Sequence, residues 1–257
     1  MEYGVCGSGE RAAVAAASGL TFLERSVGQF LKPLESRAAF EESLAELEQS
    51  ALPSPVVNGF LPGDLKITGD SVDLPAVKDF VTTAVQRAQE AGVEMIVFGS
   101  GGARRIPDGF KRETAHEQLV AFCTMAARAA GEHGVTIVVE PLYKKECNVL
   151  TTVGESAALV REVNEPALKL LVDSFHWAQD DDSASDIVAN GDILKHVHIA
   201  TVPNRCAPGA EPCDFAPFFD ALKQAGYDGR ISIEAKMTDP SQELPKALAT
   251  LKGFEQT

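Results

Sequence analysis

Four short strand-like runs in this chain break off abruptly on a residue whose side chain can hold a cation. Residues 135–139 run into Glu140, 168–172 into Asp173, 196–197 into His198 and 231–233 into Glu234. Successive breaks lie 25 to 36 residues apart, about the length of one strand, loop and helix. Strands repeated at that spacing can lie side by side and parallel, with all four polar ends at one rim of a closed sheet.

The remainder of the chain keeps the same alternation. Strand-like runs end near Cys6, Val27, Phe60 and Phe98, which makes eight in all. Helical spacing of apolar residues is read over 9–18, 39–49, 74–91, 114–132, 152–163, 215–225 and 244–251. Gly92 closes the third of these at the position where a left-handed residue is favoured, and Thr152 with Glu155 forms a capping box opening the fifth. Ser183 or Ser185 is read as the cap of a further short helix ending at Asn190-Gly191. Eight alternating units in 257 residues, with no linker or low-complexity tract, predict an α/β fold. The expectation is one single-domain (β/α)8 TIM barrel over residues 1–257.

Composition narrows the partners. The net charge is −14 without a basic stripe, which argues against a nucleic acid, whose binding depends on Lys and Arg neutralising phosphates. Five cysteines form no C-x-x-C pair, which fits reduced thiols better than a disulfide framework. Strand-like sequence starts at residues 1–5, and no apolar run approaches the roughly 18 residues of a membrane span. A soluble, cytoplasmic protein with no membrane partner is expected, and a homo-oligomer is left open.

In such a barrel the carboxyl ends of the strands carry the active site. Glu140, Asp173, His198 and Glu234 offer three carboxylates and one imidazole, a set suited to one divalent ion such as Mn²⁺, Mg²⁺ or Co²⁺, with Fe²⁺ or Zn²⁺ also compatible. Without a cation, three carboxylates at one rim would repel one another. The stretch 99–107, Gly-rich with Arg104 and Arg105, is read as a long loop, substrate-facing, phosphate-cradling as in nucleotide binding, or merely flexible. His196, two residues before His198, points to the same face one layer deeper, as a packed histidine or as support for the site. Trp177 is either an apolar wall or a packing residue, and Glu24 is a candidate substrate contact from the second strand.

These motifs resemble the xylose-isomerase-like barrel superfamily, and especially its branch of ketose 3-epimerases and hydroxypyruvate isomerase. The likeness is most specific over residues 136–237. It rests on Glu140-Pro141-Leu142 with Glu146 six residues after Glu140, on Asp173 and His176 as Asp-x-x-His, and on Asn204-Arg205 after His198. The chain departs from that branch at Ala200-Thr201 and in placing Asn204 where the branch has its arginine, with Arg205 next. The resemblance implies that Glu140, Asp173, His198 and Glu234 hold one divalent metal. It further implies that Glu140 and Glu234 exchange protons with a substrate carbon through an enediolate, and that Glu146, His176 and Arg205 orient substrate oxygens. The bland alternatives are a loop hydrogen bond for His176, a surface charge for Glu146, and a pairing of Arg205 with Glu211 or Asp214.

The expected activity is a metal-dependent isomerase or epimerase of a sugar, keto-sugar or small keto-acid. A dehydratase or lyase on an inosose-like or keto-sugar substrate begins with the same enolisation, and a non-catalytic sugar-binding barrel is the reading outside enzymology. The apurinic endonuclease branch needs further histidine ligands for three zinc ions. This chain has no His before His116 and none after His198.

Overall fold

A computed structural model describes residues 1–255. Eight strands, β1 (Glu2–Cys6), β2 (Phe22–Ser26), β3 (Val56–Asn58), β4 (Met95–Phe98), β5 (Thr136–Val139), β6 (Leu168–Asp173), β7 (Leu194–Ile199) and β8 (Arg230–Ile233), close into a parallel barrel in sequence order. The helices are α1 (Ala12–Ala17), α2 (Val27–Phe30), α3 (Arg37–Glu48), α4 (Leu74–Glu90), α5 (Gly101–Arg104), α6 (Arg112–Glu132), α7 (Val153–Val163), α8 (Ser174–Gln179), α9 (Ala184–Ala189), α10 (Ala216–Gln224) and α11 (Pro240–Glu255). None of the described helices is long and apolar enough to cross a membrane.

Period-two alternation divides each strand between two cores. The outward residues, among them Leu23, Val57, Ile96, Ile137, Val172, Val197 and Ile231, pack under the helices. The inward residues Phe22, Val56, Val97, Val138 and Leu171 form a separate plug, with Met95 packed against it. Gly4 on β1 makes room for that plug, since a Cβ there would lie 2.4 Å from the Phe22 ring. Two residues further along β5 and β6 the same inward face carries Glu140 and Asp173. The apolar plug is thus the floor on which the polar rim stands.

Local signals explain most helix ends. Asp73 accepts the Ala76 amide at the start of α4, and Gly92 beyond its end has φ +69°. Thr152 accepts the Glu155 amide while Glu155 accepts the Thr151 amide, so α7 opens on a reciprocal pair. Ser183, by contrast, caps nothing with its side chain, because its hydroxyl pairs with Ser185.

Four helices depart from expectation, the first being α2, a single turn directly after β2. The stretch after β4 is not a plain loop: it makes the single turn α5, entered through Ser100 at φ 42°. The short α8 follows β6 without a break. Helix α11 starts at Pro240, four residues earlier than the apolar spacing indicates. Pro240 loses nothing at a first helical position, where the N–H has no partner, and Glu243 accepts the amides of Thr238 and Asp239 just ahead of it.

Candidate functional site

Glu140, Asp173, His198 and Glu234 meet at the carboxyl rim, with donor atoms all within 4.8 Å of one another. Each is reached by the same two-residue step, from Val138, Leu171, His196 and Ser232, so all four point inward. His198 Nδ1 lies 3.3 Å from Glu140 Oε1 and 3.2 Å from Glu234 Oε2. His198 is fully buried and Asp173 almost so, whereas Glu234 is partly open at its side chain. Donors on opposite sides of an ion bonded at about 2.1 Å stand about 4.2 Å apart, so this cluster is of a size and chemistry to hold one divalent cation. The five cysteines are all free, and none belongs to the set.

Two neighbours fix Glu140. Gly99, directly after β4, leaves space for its carboxylate: a Cβ there would lie 2.2 Å from Glu140 Oε2. Arg104, fully buried, donates to the carbonyls of Phe98 (3.0 Å), Glu140 (2.7 Å) and Leu150 (3.2 Å). Its guanidinium therefore ties the ends of β4 and β5 to the following loop and does not face the site. Arg105 donates to the Glu146 carbonyl at 2.9 Å. The substrate-facing reading does not hold for Arg104, which is fully buried, whereas Arg105 is exposed and spends one nitrogen on that carbonyl.

The Asp-x-x-His spacing has a direct structural meaning. Asp173 ends β6 and caps α8, its Oδ1 accepting the Phe175 amide at 2.8 Å. One helical turn then carries His176 back over it, with Nε2 3.5 Å from Asp173 Oδ2. His176 Nδ1 accepts the Tyr143 amide at 3.4 Å, and the ring stacks on Tyr143 at 5.3 Å. That contact leaves Nε2 to carry the proton toward the rim.

Arg205, at φ 57°, turns its guanidinium inward. It donates to Asp173 Oδ2 at 3.0 Å and to the Glu234 carboxylate, lies 3.7 Å from Glu146, and covers the Phe175 ring at 4.9 Å. Glu211 is engaged by Thr201 and Asn204, and Asp214 accepts the Ala216 amide, so neither of the expected surface partners holds Arg205. Glu146 Oε2 is 3.9 Å from His176 Nε2, beyond hydrogen-bond reach but on the same rim. Trp177 packs on Phe218 at 5.5 Å, on the helical layer. The aromatic groups beside the polar cluster are instead Phe175 and Tyr143, 5.6 Å apart edge to face.

Glu24 is not a substrate contact. Its carboxylate is fully buried beneath His198, with Oε1 2.8 Å from His198 Nε2. The other oxygen lies 2.8 Å from His196 Nε2 and accepts the Ser232 hydroxyl at 2.5 Å. Burial alone would push this carboxyl up; the charge and N–H groups of His198 and His196 outweigh it and hold Glu24 well below the usual range. For His198 burial works downward, and the carboxylates of Glu24 and Glu234 win, raising it. Burial pushes the Glu140 carboxyl up more than His198 pulls it down, while for Glu234 the pull of His198 and Arg205 exceeds burial. Two carboxyls displaced in opposite directions at one rim are suited to divide acid and base duties.

Comparison with known proteins bears on the family and the fold. A family model described as xylose isomerase-like TIM barrel matches residues 12–254. The L-ribulose 3-epimerase of Methylomonas sp. (strain DH-1) is 34% identical over 140 residues, 53% of this chain and 48% of that protein. The chain thus spans about half the length of that relative. A putative hydroxypyruvate isomerase of Streptomyces coelicolor is 29% identical over 250 residues, 91% of this chain and 88% of that protein. Among solved structures, the D-allulose 3-epimerase of Methylomonas sp. in complex with D-allulose superposes with a TM-score of 0.82 at 24% identity, covering 98% of this chain and 96% of the other. At that identity the superposition speaks to the fold.

Proposed function

Since the chain belongs to the xylose isomerase-like TIM barrel family, we propose that it is a divalent-metal-dependent isomerase or epimerase of a sugar, keto-sugar or small keto-acid. The observation that carries this reading is the meeting of Glu140 and Glu234, from strands three apart in the barrel, around one imidazole nitrogen. A sugar-binding protein has no use for two such carboxylates at hydrogen-bond distance from one ligand nitrogen. Proton transfer at carbon uses both.

Glu140, Asp173, His198 and Glu234 hold the metal. A divalent cation held there would supply Lewis acidity to the substrate oxygens and so acidify the C–H next to the carbonyl. The protein's side chains do the rest. One of Glu140 and Glu234 removes the carbon-bound proton; the other returns a proton to the opposite face, which inverts the centre. If the same carboxyl returns it to the neighbouring carbon while the hydroxyl proton passes to the former carbonyl oxygen, the carbonyl moves and the outcome is isomerisation. Arg205 and His176 present N–H donors, and Glu146 an acceptor, to the oxygens beyond the reacting carbon. Phe175 and Tyr143 supply the apolar wall that limits water there.

The test is deuterium uptake from D₂O at the carbon next to the carbonyl. The Mn²⁺-supplemented protein is offered a panel of ketoses, keto-inositols and hydroxypyruvate, and products are read by NMR. Exchange with at least one ketose or hydroxypyruvate is expected. Glu140→Gln and Glu234→Gln each reduce it by about 10²- to 10⁴-fold while the circular dichroism spectrum is unchanged. Metal bound with no exchange on any of these compounds would count for a binding protein instead, and elimination of water from the keto-inositols for a lyase.

A further inference from the structure

The layer directly below the rim is polar where a barrel interior is ordinarily aliphatic. It brings together Cys6 from β1, Glu24 from β2, His196 from β7 and Ser232 from β8, with the underside of His198. Glu24 reaches it because Phe22, two residues earlier, already fixes the inward face of β2. A buried carboxylate is costly unless its lone pairs are met by donors. Here every donor is accounted for: His198 Nε2 at 2.8 Å on one oxygen, His196 Nε2 at 2.8 Å and Ser232 Oγ at 2.5 Å on the other.

The chemistry of those contacts is directional. An ionised carboxylate has no proton to give, so each nitrogen facing it must carry one. For His196 that is the end of the matter, because its Nδ1 is buried with no partner. For His198 it has a consequence at the rim: with Nε2 committed to Glu24, Nδ1, 3.3 Å from Glu140 and 3.2 Å from Glu234, is the nitrogen whose proton a cation displaces on binding. We propose that Glu24 is a positioning residue: by accepting from Nε2 it keeps a proton on that nitrogen and aims the Nδ1 lone pair of His198 at the space shared with Glu140, Asp173 and Glu234. The inference rests on the reading of His198 as a cation ligand. The negative charge of Glu24 also makes Nδ1 a better donor to a cation, and substitutions of such supporting groups weaken metal binding by about 10- to 100-fold.

The rival for the same residues is a second cation held by Cys6, Glu24 and His198, whose donor atoms also lie within 4.8 Å of one another. The hydrogen-bond separation of Glu24 and His198 places a proton, not an ion, between them. Ser232 and His196 already fill the second oxygen.

Two measurements on the full-length protein decide the matter. In the ¹⁵N-histidine-labelled parent with Mg²⁺, a slowly exchanging, downfield proton on His198 Nε2 is expected; a bare Nε2 with the proton on Nδ1 overturns the proposal. This holds even if Glu24→Gln fails to fold. In folded Glu24→Gln, with unchanged circular dichroism and Tm, Mn²⁺ affinity read by electron paramagnetic resonance falls about 10- to 100-fold. Affinity within twofold of the parent overturns the assignment, as does binding of two Mn²⁺ per chain with one lost in Cys6→Ser. A parent that binds no Mn²⁺ sinks the proposed function, whereas a parent that binds it while the Nε2 proton is missing sinks only the role of Glu24.

Discussion

The position of the Glu140 carboxylate depends on a methyl group that is not there. Gly99 has no left-handed backbone requirement, so alanine is conformationally acceptable at this site and only the contact opposes it. The added Cβ would stand 2.2 Å from Glu140 Oε2, the mobile end of a side chain, which yields at little cost to folding. Gly99→Ala should therefore leave Tm within a few degrees of the parent while kcat for the exchange reaction falls by about 10²-fold, the cost of a displacement near 1 Å. Unchanged kcat would mean that Glu140 does not act from the observed position. The polar strand ends are legible in the sequence because each stops a short strand-like run at a regular spacing. Glu24 reads as a rim residue for the same reason, because it too follows an apolar pair, Phe22-Leu23, although it lies one layer deeper. Its two-residue relation to Phe22 is the one signal of an inward, buried carboxylate, and that signal says nothing about depth.

Strands and long helices followed from periodicity, but the short pieces that shape the rim did not. α5 and α8 span four and six residues, too few for a helical period to declare itself, and both exist through tertiary contacts. α8 is started by Asp173 acting as a cap, and that turn is what brings His176 to the cluster. α5 is held by Arg104, whose three carbonyl contacts pin it between β4 and β5. The start of α11 was hidden because Pro240 and Pro245 read as breakers, although the first is harmless at that position. Arg104→Met retains much of the volume but takes the Arg104 donor from the buried Glu140 carbonyl, while the carbonyls of Phe98 and Leu150 keep the amides of Glu140 and Leu142. At about 1–3 kcal/mol for an unsatisfied buried group, the urea-unfolding free energy should drop by about 1–3 kcal/mol. A loss below about 1 kcal/mol would show that the Glu140 carbonyl finds another donor and that the clamp is dispensable.

Bringing Glu140, Asp173 and Glu234 together from three strands concentrates negative charge in a protein that is already at −14. In the unfolded chain these groups are remote from one another, so a divalent cation has affinity for the folded state that the unfolded state cannot match. Binding then adds stability by mass action, about 2.7 kcal/mol when the free ion stands at 100 times its Kd. For a chain of this length each kcal/mol moves Tm by about 2–4 °C, so saturating Mn²⁺ should raise Tm by about 5–10 °C over the same protein in EDTA. The rise should grow with the logarithm of ion concentration once the site is filled. It should be lost in Asp173→Asn, which can still cap α8 through its amide oxygen while removing one charge from the cluster. Calorimetry on parent and variant across a Mn²⁺ series provides the check. A Tm indifferent to the ion, or an equal rise in the variant, would show that the convergence of these strand ends has no cation to serve.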